Sequence, residues 1–315
     1  MNEKKKVLVV DFDSMFYHAA KEDTVESINS LEERIDNMIQ TTGAHFIILF
    51  TSVKPYFRSI DSGNTYKSNR KDKKINYNVS ILKIMCKNQY NTQNVPFIEA
   101  DDILSILSNS DLHLIKTKTE NPKYYLTLKE TNPKKTEEIP FEVIYSSPDK
   151  DVFKTIPGKI FNYRWIGKGE DTQKGSWIVT TKKDKEQFVL SQMIIGDSAD
   201  NVKGIPRMGD KAWEKIVEKG EDNINDIFKL YIKKFGEHIG IREFSNNYRK
   251  LSLLQNVEQY QYETGIEFPK AFQLTETLIN QVSEPDEDFE DTSATNGFDD
   301  MDFEESTKYD DNGEY

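Results

Sequence analysis

An α/β chain built on a parallel sheet is the fold class this sequence predicts, and three observations predict it. Two short apolar runs, VLVVDFD (Val7–Asp13) and HFIILF (His45–Phe50), read as strands buried on both faces, the first ending on acids. Between them Val25, Ile28, Leu31, Ile35, Met38 and Ile39 recur at helical spacing, with Gly43 as the stop. Strand, helix, strand at this spacing makes a right-handed parallel crossover.

The remaining elements follow in order. Lys54–Lys74 is polar, basic and aromatic with no core face, and Tyr77–Tyr90 resumes as a helix. VPFIEADDILSIL (Val95–Leu107) reads as a short strand followed by a helix. LHLIKTK and YYLTLKE flank a turn containing Asn121-Pro122, which predicts an inserted β-hairpin at about 111–141. FEVIYSSPDKDVFKTI is a further buried strand running into acids and a helix. NYRWIGKG and GSWIVTT predict a second hairpin, and from about Asp184 onward the pattern is mostly helical. After Val282 periodicity is lost, so residues 283–315 are expected to be disordered.

Charge has to be read by segment. The chain of 315 residues carries a formal −12, but residues 283–315 hold 14 acidic side chains against one lysine. The rest is close to neutral, so overall acidity does not exclude a nucleic-acid partner. One cysteine, Cys86, rules out an intramolecular disulfide and a cysteine-based metal site, and fits a reducing, cytoplasmic compartment. No stretch approaches the ~20 apolar residues of a membrane span, so no membrane partner is expected.

Carboxylates gather at four element ends: Asp11 and Asp13; Glu99, Asp101 and Asp102; Asp149 and Asp151; Asp197 and Asp200. In a parallel sheet the C-terminal strand ends converge on one crevice. Acids crowded there raise one another's pKa unless a cation intervenes, and oxygen-only ligands favour Mg²⁺ or Mn²⁺. Two such ions ~4 Å apart stabilise both the attacking and the leaving oxygen of a phosphodiester displacement. Taken singly, each cluster has a plainer reading: Asp13 as a helix cap, the acids of EADD as first-turn residues, DKD as surface, DSAD as a turn. Gly204–Gly209, followed by Asp210-Lys211, reads either as an ordinary helical connection or as a glycine turn that lets backbone and a helix start approach a phosphate.

The segments VVDFDSMFYHA, YKSNR, FIEADDILSIL, YSSPDKDVF and MIIGDSADNVKGIPRMGDKAW occur in the order seen in the 5′-nuclease family, which the chain resembles over roughly Val7–Lys219. That family comprises structure-specific flap endonucleases and 5′→3′ exonucleases of bacteriophages and of bacterial DNA polymerase I. The resemblance implies a PIN-like parallel-sheet core with helices on both faces at 1–190, with a basic arch at about 54–80. It also implies a helix-two-turn-helix duplex-binding region at 191–282, followed by the acidic tail. By motif, Asp11, Glu99, Asp101, Asp102, Asp149, Asp151, Asp197 and Asp200 are the implied ligands of two Mg²⁺ or Mn²⁺ ions. Tyr66, Lys67 and Arg70 are the implied catalytic residues at the arch base. Gly204, Ile205, Arg207, Gly209 and Lys211 match the duplex-binding hairpin, where a K⁺ ion is also implied, and Lys71, Lys73 and Lys74 track the nucleic-acid backbone.

This sequence departs from the pattern at three places. Thr51 stands where relatives carry an aspartate after the second strand, and Asp13 is the candidate to compensate. Pro148 replaces a usual glycine, and the insertion at 111–141 is extra. The implied activity is phosphodiester hydrolysis near a 5′ single-strand/duplex junction, extending to RNA-primer removal, on DNA or an RNA–DNA duplex. The rival readings are a junction binder that cuts poorly, because of Thr51, and a PIN-type RNA endonuclease. The chain is expected to be a monomer. The tail, with Phe298, Met301 and Phe303 among its acids, reads as a solvating end, as a docking peptide for a single-strand-binding protein or a clamp, or as an intramolecular mimic of DNA over the basic arch.

Overall fold

The structure is a computed structural model that describes residues 4–60, 66–70, 74–129, 134–167 and 169–277. Lys71, Lys73 and the acidic tail lie outside the described residues.

The central sheet is mixed, with strand order β12-β2-β1-β6-β7-β8. β1 (Lys5–Asp11), β2 (Phe46–Phe50), β6 (Phe141–Ser146) and β7 (Gly158–Ile166) run parallel, whereas β8 (Gln173–Thr180) and β12 (Thr275–Glu276) are antiparallel edges. Strand periodicity splits β1 between two cores. Val7 and Val9 face one apolar cluster, and Leu8 and Val10 face the other. Both faces are therefore covered, which is why β1 reads as one unbroken apolar run.

α1 (Asp13–Ala19), α2 (Thr24–Thr42) and α4 (Tyr77–Gln89) cover the Leu8 face. α2 is capped by Asp23, whose side chain accepts from Glu26 N, and ends at Gly43 with φ 65°. It buries Leu31, Ile35 and Met38, each worth roughly 1.5–3 kcal/mol of burial. α5 (Ala100–Ser108) packs on the opposite face. Residues 95–99 form no strand; the chain makes one isolated bridge, Phe50 to Gln93, and then turns into α5. Val95 and Ile98 are apolar because they are buried in the core under that turn.

The inserted segment is larger than a hairpin. β3 (His113–Thr117), β4 (Tyr124–Thr127) and β5 (Thr136–Glu138) join β11 (Ala271–Gln273) in a separate antiparallel sheet, order β11-β4-β3-β5. The β7–β8 hairpin forms as predicted.

The C-terminal part is helical through α7 (Lys182–Ile195), α8 (Asp210–Glu218), α9 (Ile224–Phe235) and α10 (Glu237–Leu251). These helices surround a third apolar cluster that includes Met193, Ile194, Ile205, Ile227 and Tyr231. α11 (Val257–Thr264) then leads back to the main body. Leu254, Tyr260, Phe268, Phe272 and Leu274 belong to the Val7 core, and β11 and β12 add strands to both sheets. A mostly helical reading of everything after Asp184 misses this return. Among the described residues no helix is long and apolar enough to cross a membrane.

Candidate active site

Parallel strands place the ends of β1, β2 and β6 on one rim, and the acids that follow them meet there. Asp11 closes β1; its Oδ2 accepts from Ser147 Oγ at 2.9 Å, and its carbonyl accepts from Tyr163 Oη at 2.7 Å. Ser147 Oγ also accepts from Asp149 N at 3.1 Å, which ties the start of α6 (Lys150–Phe153) to β1. Asp149 caps α6 by accepting from Asp151 N. Gln192 Nε2 lies 3.2 Å from Asp151 Oδ1 and 2.8 Å from Asp197 Oδ2, joining the third cluster to the fourth. Lys150 Nζ is 3.1 Å from the same Asp197 oxygen.

The fourth cluster sits on a short hairpin of β9 (Gly196–Asp197) and β10 (Val202–Lys203). From there Tyr66 and Lys67 close the circuit. Tyr66 Oη is 3.0 Å from Asp200 Oδ2 and 2.7 Å from Glu99 Oε2. Lys67 Nζ is 2.6 Å from Glu99 Oε1 and 3.5 Å from Asp200 Oδ1. Lys67 takes φ 52°, an uncommon conformation for a lysine, and its N–H donates to the Asp200 carbonyl.

Asp13 completes the ring on the β2 side. It does not cap α1: Phe12 holds the cap position without a side-chain bond. Asp13 Oδ2 instead accepts from Ser52 N at 2.9 Å, and Ser52 Oγ accepts from Ala100 N at the start of α5. Asp13 is thereby fixed at the end of β2, beside Thr51, with Asp11 on one side and the charge of Glu99 acting on it from the other.

The ring is electrostatically costly. Burial, then Asp13 and Asp149, push the Asp11 pKa up to about 8. Burial, then Asp149, Asp200 and Asp197, push Asp151 up to about 7. Burial, with Glu99 and Asp102, holds Asp101 well above the carboxylate range. Glu99 goes the other way: burial opposes its ionisation, but Lys67 and Arg58 outweigh it. Among the described residues no three of these acids are drawn tightly enough to hold an ion as they stand, and lysine ammonium groups supply part of the positive charge.

Several predicted site residues have other work. Asp102 is wholly buried, and both its oxygens bond Arg58, at 2.5 and 2.7 Å. It also accepts from Leu254 N at 2.9 Å, so it braces α5 and does not face the ring. Tyr66 is buried between two acids and positions them. Ile205 puts its side chain into the third apolar cluster and its N–H on Ile194 O. Gly204 faces inward: a Cβ there would meet Ile194 O at 2.2 Å and Gly196 N at 2.4 Å, so its smallness serves packing against α7. Gly209 at the start of α8 is open to solvent, and Arg207 and Lys211 beside it are exposed. Lys74 is exposed ahead of α4; Arg70 ends a 3₁₀ turn, Ser68–Arg70. Sequence reading missed Arg58, Ser52, Ser147 and Gln192, which have no local signal because each acts on a partner distant in sequence or at a turn.

No protein-family model matches the chain. A 5′-3′ exonuclease of Buchnera aphidicola is 27 % identical over 278 residues, covering 80 % of this chain and 84 % of the relative. Among solved structures, a bacteriophage T5 protein co-crystallised with metal ions superposes with a TM-score of 0.51 at 16 % identity, covering 79 % of this chain and 90 % of that one. A T5 flap endonuclease pseudo-enzyme–product complex with DNA and metal ions gives 0.50 at 16 % identity, covering 80 % and 89 %. The resemblance to the 5′-nuclease family is borne out, and the α/β fold is that of the T5 enzyme.

Proposed function

We propose that this chain is a structure-specific 5′-nuclease that hydrolyses phosphodiester bonds near the junction of a 5′ single strand and a duplex. The observation that carries the reading is the closed ring: four acid clusters, far apart in sequence, are linked through Ser147, Gln192, Tyr66, Lys67 and Ser52 at one sheet rim. The 5′-3′ exonuclease relative supports it.

The ring fits divalent cations by its chemistry. Its donors are all oxygens, buried or half-buried, mutually repelling and short of positive charge. Asp11, Asp13, Glu99, Asp101, Asp149, Asp151, Asp197 and Asp200 would hold Mg²⁺ or Mn²⁺. Bound there, two such ions supply Lewis acidity to the attacking and leaving oxygens.

The chain's own residues do the rest. Lys67, partly exposed at the mouth, offers an ammonium to charge developing on phosphoryl oxygens, and Arg70 joins it by motif. Tyr66 keeps Glu99 and Asp200 at a fixed separation. The α8 start, with Arg207, Gly209 and Lys211, grips the duplex backbone and a K⁺ ion without reading sequence.

The test is cleavage of a 5′-flap DNA with and without Mg²⁺. Mg²⁺-dependent cleavage lost in Asp149→Asn and Asp197→Asn supports the nuclease. Tight flap binding without cleavage, unchanged by Thr51→Asp, would favour the junction binder, the reading that the uncharged Thr51 keeps in play.

A further inference from the structure

Lys150 belongs to the acid ring by position and opposes it by charge. It stands between Asp149 and Asp151 and opens α6, which Asp149 caps by accepting from Asp151 N at 2.9 Å. Its Nζ reaches across to the fourth cluster and lies 3.1 Å from Asp197 Oδ2. Burial works against its charge, but Asp197, Asp151 and Asp149 outweigh burial and raise its pKa, so the group is an ammonium at pH 7.

The Asp197 carboxylate is crowded with donors. Its Oδ1 accepts from Ala199 N at 2.8 Å, and its Oδ2 accepts from Gln192 Nε2 at 2.8 Å as well as from Lys150. A carboxylate oxygen has two lone pairs, so an ion that takes Oδ2 replaces one of those two donors. Gln192 is buried and also lies 3.2 Å from Asp151 Oδ1, so its amide is held between two acids. Lys150 bonds one acid from the end of a flexible stem, and its side chain is 48 % exposed; an ammonium that swings out to water recovers its hydration. Lys67, the other ammonium of the ring, is more firmly placed. Its side chain is only 18 % exposed, its Nζ lies between Glu99 and Asp200, and its N–H bonds the Asp200 carbonyl. Lys150 is therefore the donor free to leave.

We propose that Lys150 is a tethered counter-ion of the Asp149, Asp151 and Asp197 end of the ring, and that a divalent ion binds this end by displacing it. The proposal rests on reading the ring as a divalent-ion site; what it adds is a competitor carried by the chain itself. Two cations that share one carboxylate lower each other's affinity, and the effect is reciprocal. The other end has no such competitor: among the described residues Asp11, Asp13 and Asp101 make no ion pair. The ring therefore takes one ion tightly at that end and a second one more weakly beside Lys150.

The experiment is calorimetric titration of the full chain with Mn²⁺ in the absence of nucleic acid, comparing the unmodified protein with Lys150→Met and Lys150→Arg. Methionine keeps an unbranched stem and removes the charge, whereas arginine keeps the charge. Lys150→Met is expected to tighten the weaker site at least about fivefold, or to bring it into view where the unmodified protein shows one site, and to leave the tighter site unchanged. Lys150→Arg should bind like the unmodified protein. A lysine that only braced α6 would leave affinity unchanged or lower it on removal, so the sign of the change decides. Unchanged or weaker binding in Lys150→Met, or equal tightening in Lys150→Arg, overturns the counter-ion. The nuclease reading survives either result if Asp149→Asn still abolishes Mg²⁺-dependent cleavage. An unmodified protein that binds no divalent ion overturns both.

Discussion

Arg58 and Asp102 form a bidentate ion pair with almost no exposed surface, and this pair joins three parts of the chain. The guanidinium also donates to the carbonyls of Ser252, at 2.9 Å, and Arg249, at 3.3 Å, beside the end of α10. It lies 3.6 Å from Glu99 in the acid ring. The start of α5, the short helix α3 (Phe57–Ile60) that carries Arg58, and the end of α10 are therefore locked by one cation. Removing one member of a buried pair strands the other charge, at about 3–5 kcal/mol. Arg58→Ala is expected to lose about that much in denaturant titration. The double change Arg58→Met/Asp102→Leu should lose much less, yet still loosen Glu99 and weaken divalent-ion binding. Equal losses in the two variants would show that packing, not charge, holds this junction.

The acid ring gives stability a definite pH dependence. Asp11 and Asp151 have folded pKa values of about 8 and about 7, raised from 3.8. The folded state binds their protons more tightly than the unfolded state does, so the protonated groups stabilise the fold at low pH. That contribution is whole below about pH 4 and is lost as pH rises through 7 and 8. In the absence of divalent ions, thermal unfolding should move to lower temperature between pH 5 and 8 from this source. Mg²⁺ should raise it again, and more at pH 8 than at pH 5. A Mg²⁺ effect independent of pH would remove the ring as the ion's site.

How much of this was legible in the sequence depends on distance along the chain. Asp11 and Asp197 are legible because each closes an apolar run whose burial fixes where the next residue goes, and Asp149 because it follows within three residues of a strand, Phe141–Ser146, that the pattern predicts. Asp102 is not, since its partner Arg58 lies on a separate segment and nothing local distinguishes it from Asp101. Gly204 and Gly209 look alike in sequence, and only the packing of α7 against the hairpin separates them. β11 and β12 escape notice because strands of three and two residues carry no periodicity. The family resemblance implied a metal-ligand set and a duplex-binding role for the Gly204–Gly209 turn, both of which spacing alone left open.

Asp13 bears on Thr51, the position where the family resemblance implies a carboxylate. Its carboxylate is anchored on Ser52 N, one residue beyond the position where the acid is absent. Asp13→Asn is expected to lower divalent-ion affinity by at least the about 10–100-fold that loss of a supporting group costs a metal site. Thr51→Asp in that background should restore part of it, because the two positions serve one corner of the ring. Ion titration followed by calorimetry checks both changes without relying on turnover. No loss in Asp13→Asn would leave that corner without an acid.

Two glycines of one turn should respond oppositely to a methyl group. In Gly204→Ala the new Cβ would sit 2.2 Å from Ile194 O and 2.4 Å from Gly196 N, both backbone atoms that cannot move aside. The β9–β10 hairpin must then shift from the end of α7, carrying Asp197 with it. Gly204→Ala is therefore expected to lower both stability and cleavage, by about 1–3 kcal/mol of overpacking. Gly209 has open space around its Cα and a negative φ, so alanine fits there and costs only the preference for a better cap, about 1 kcal/mol or less. Any loss of duplex affinity in Gly209→Ala then reports the approach of DNA to the α8 start. Thermal melts paired with flap-DNA affinity separate the two effects: Gly204→Ala should move the melt first, and Gly209→Ala the affinity. If Gly209→Ala changes neither, the α8 start is not where the duplex lies, and the exposed Arg207 and Lys211 lose their assigned role with it.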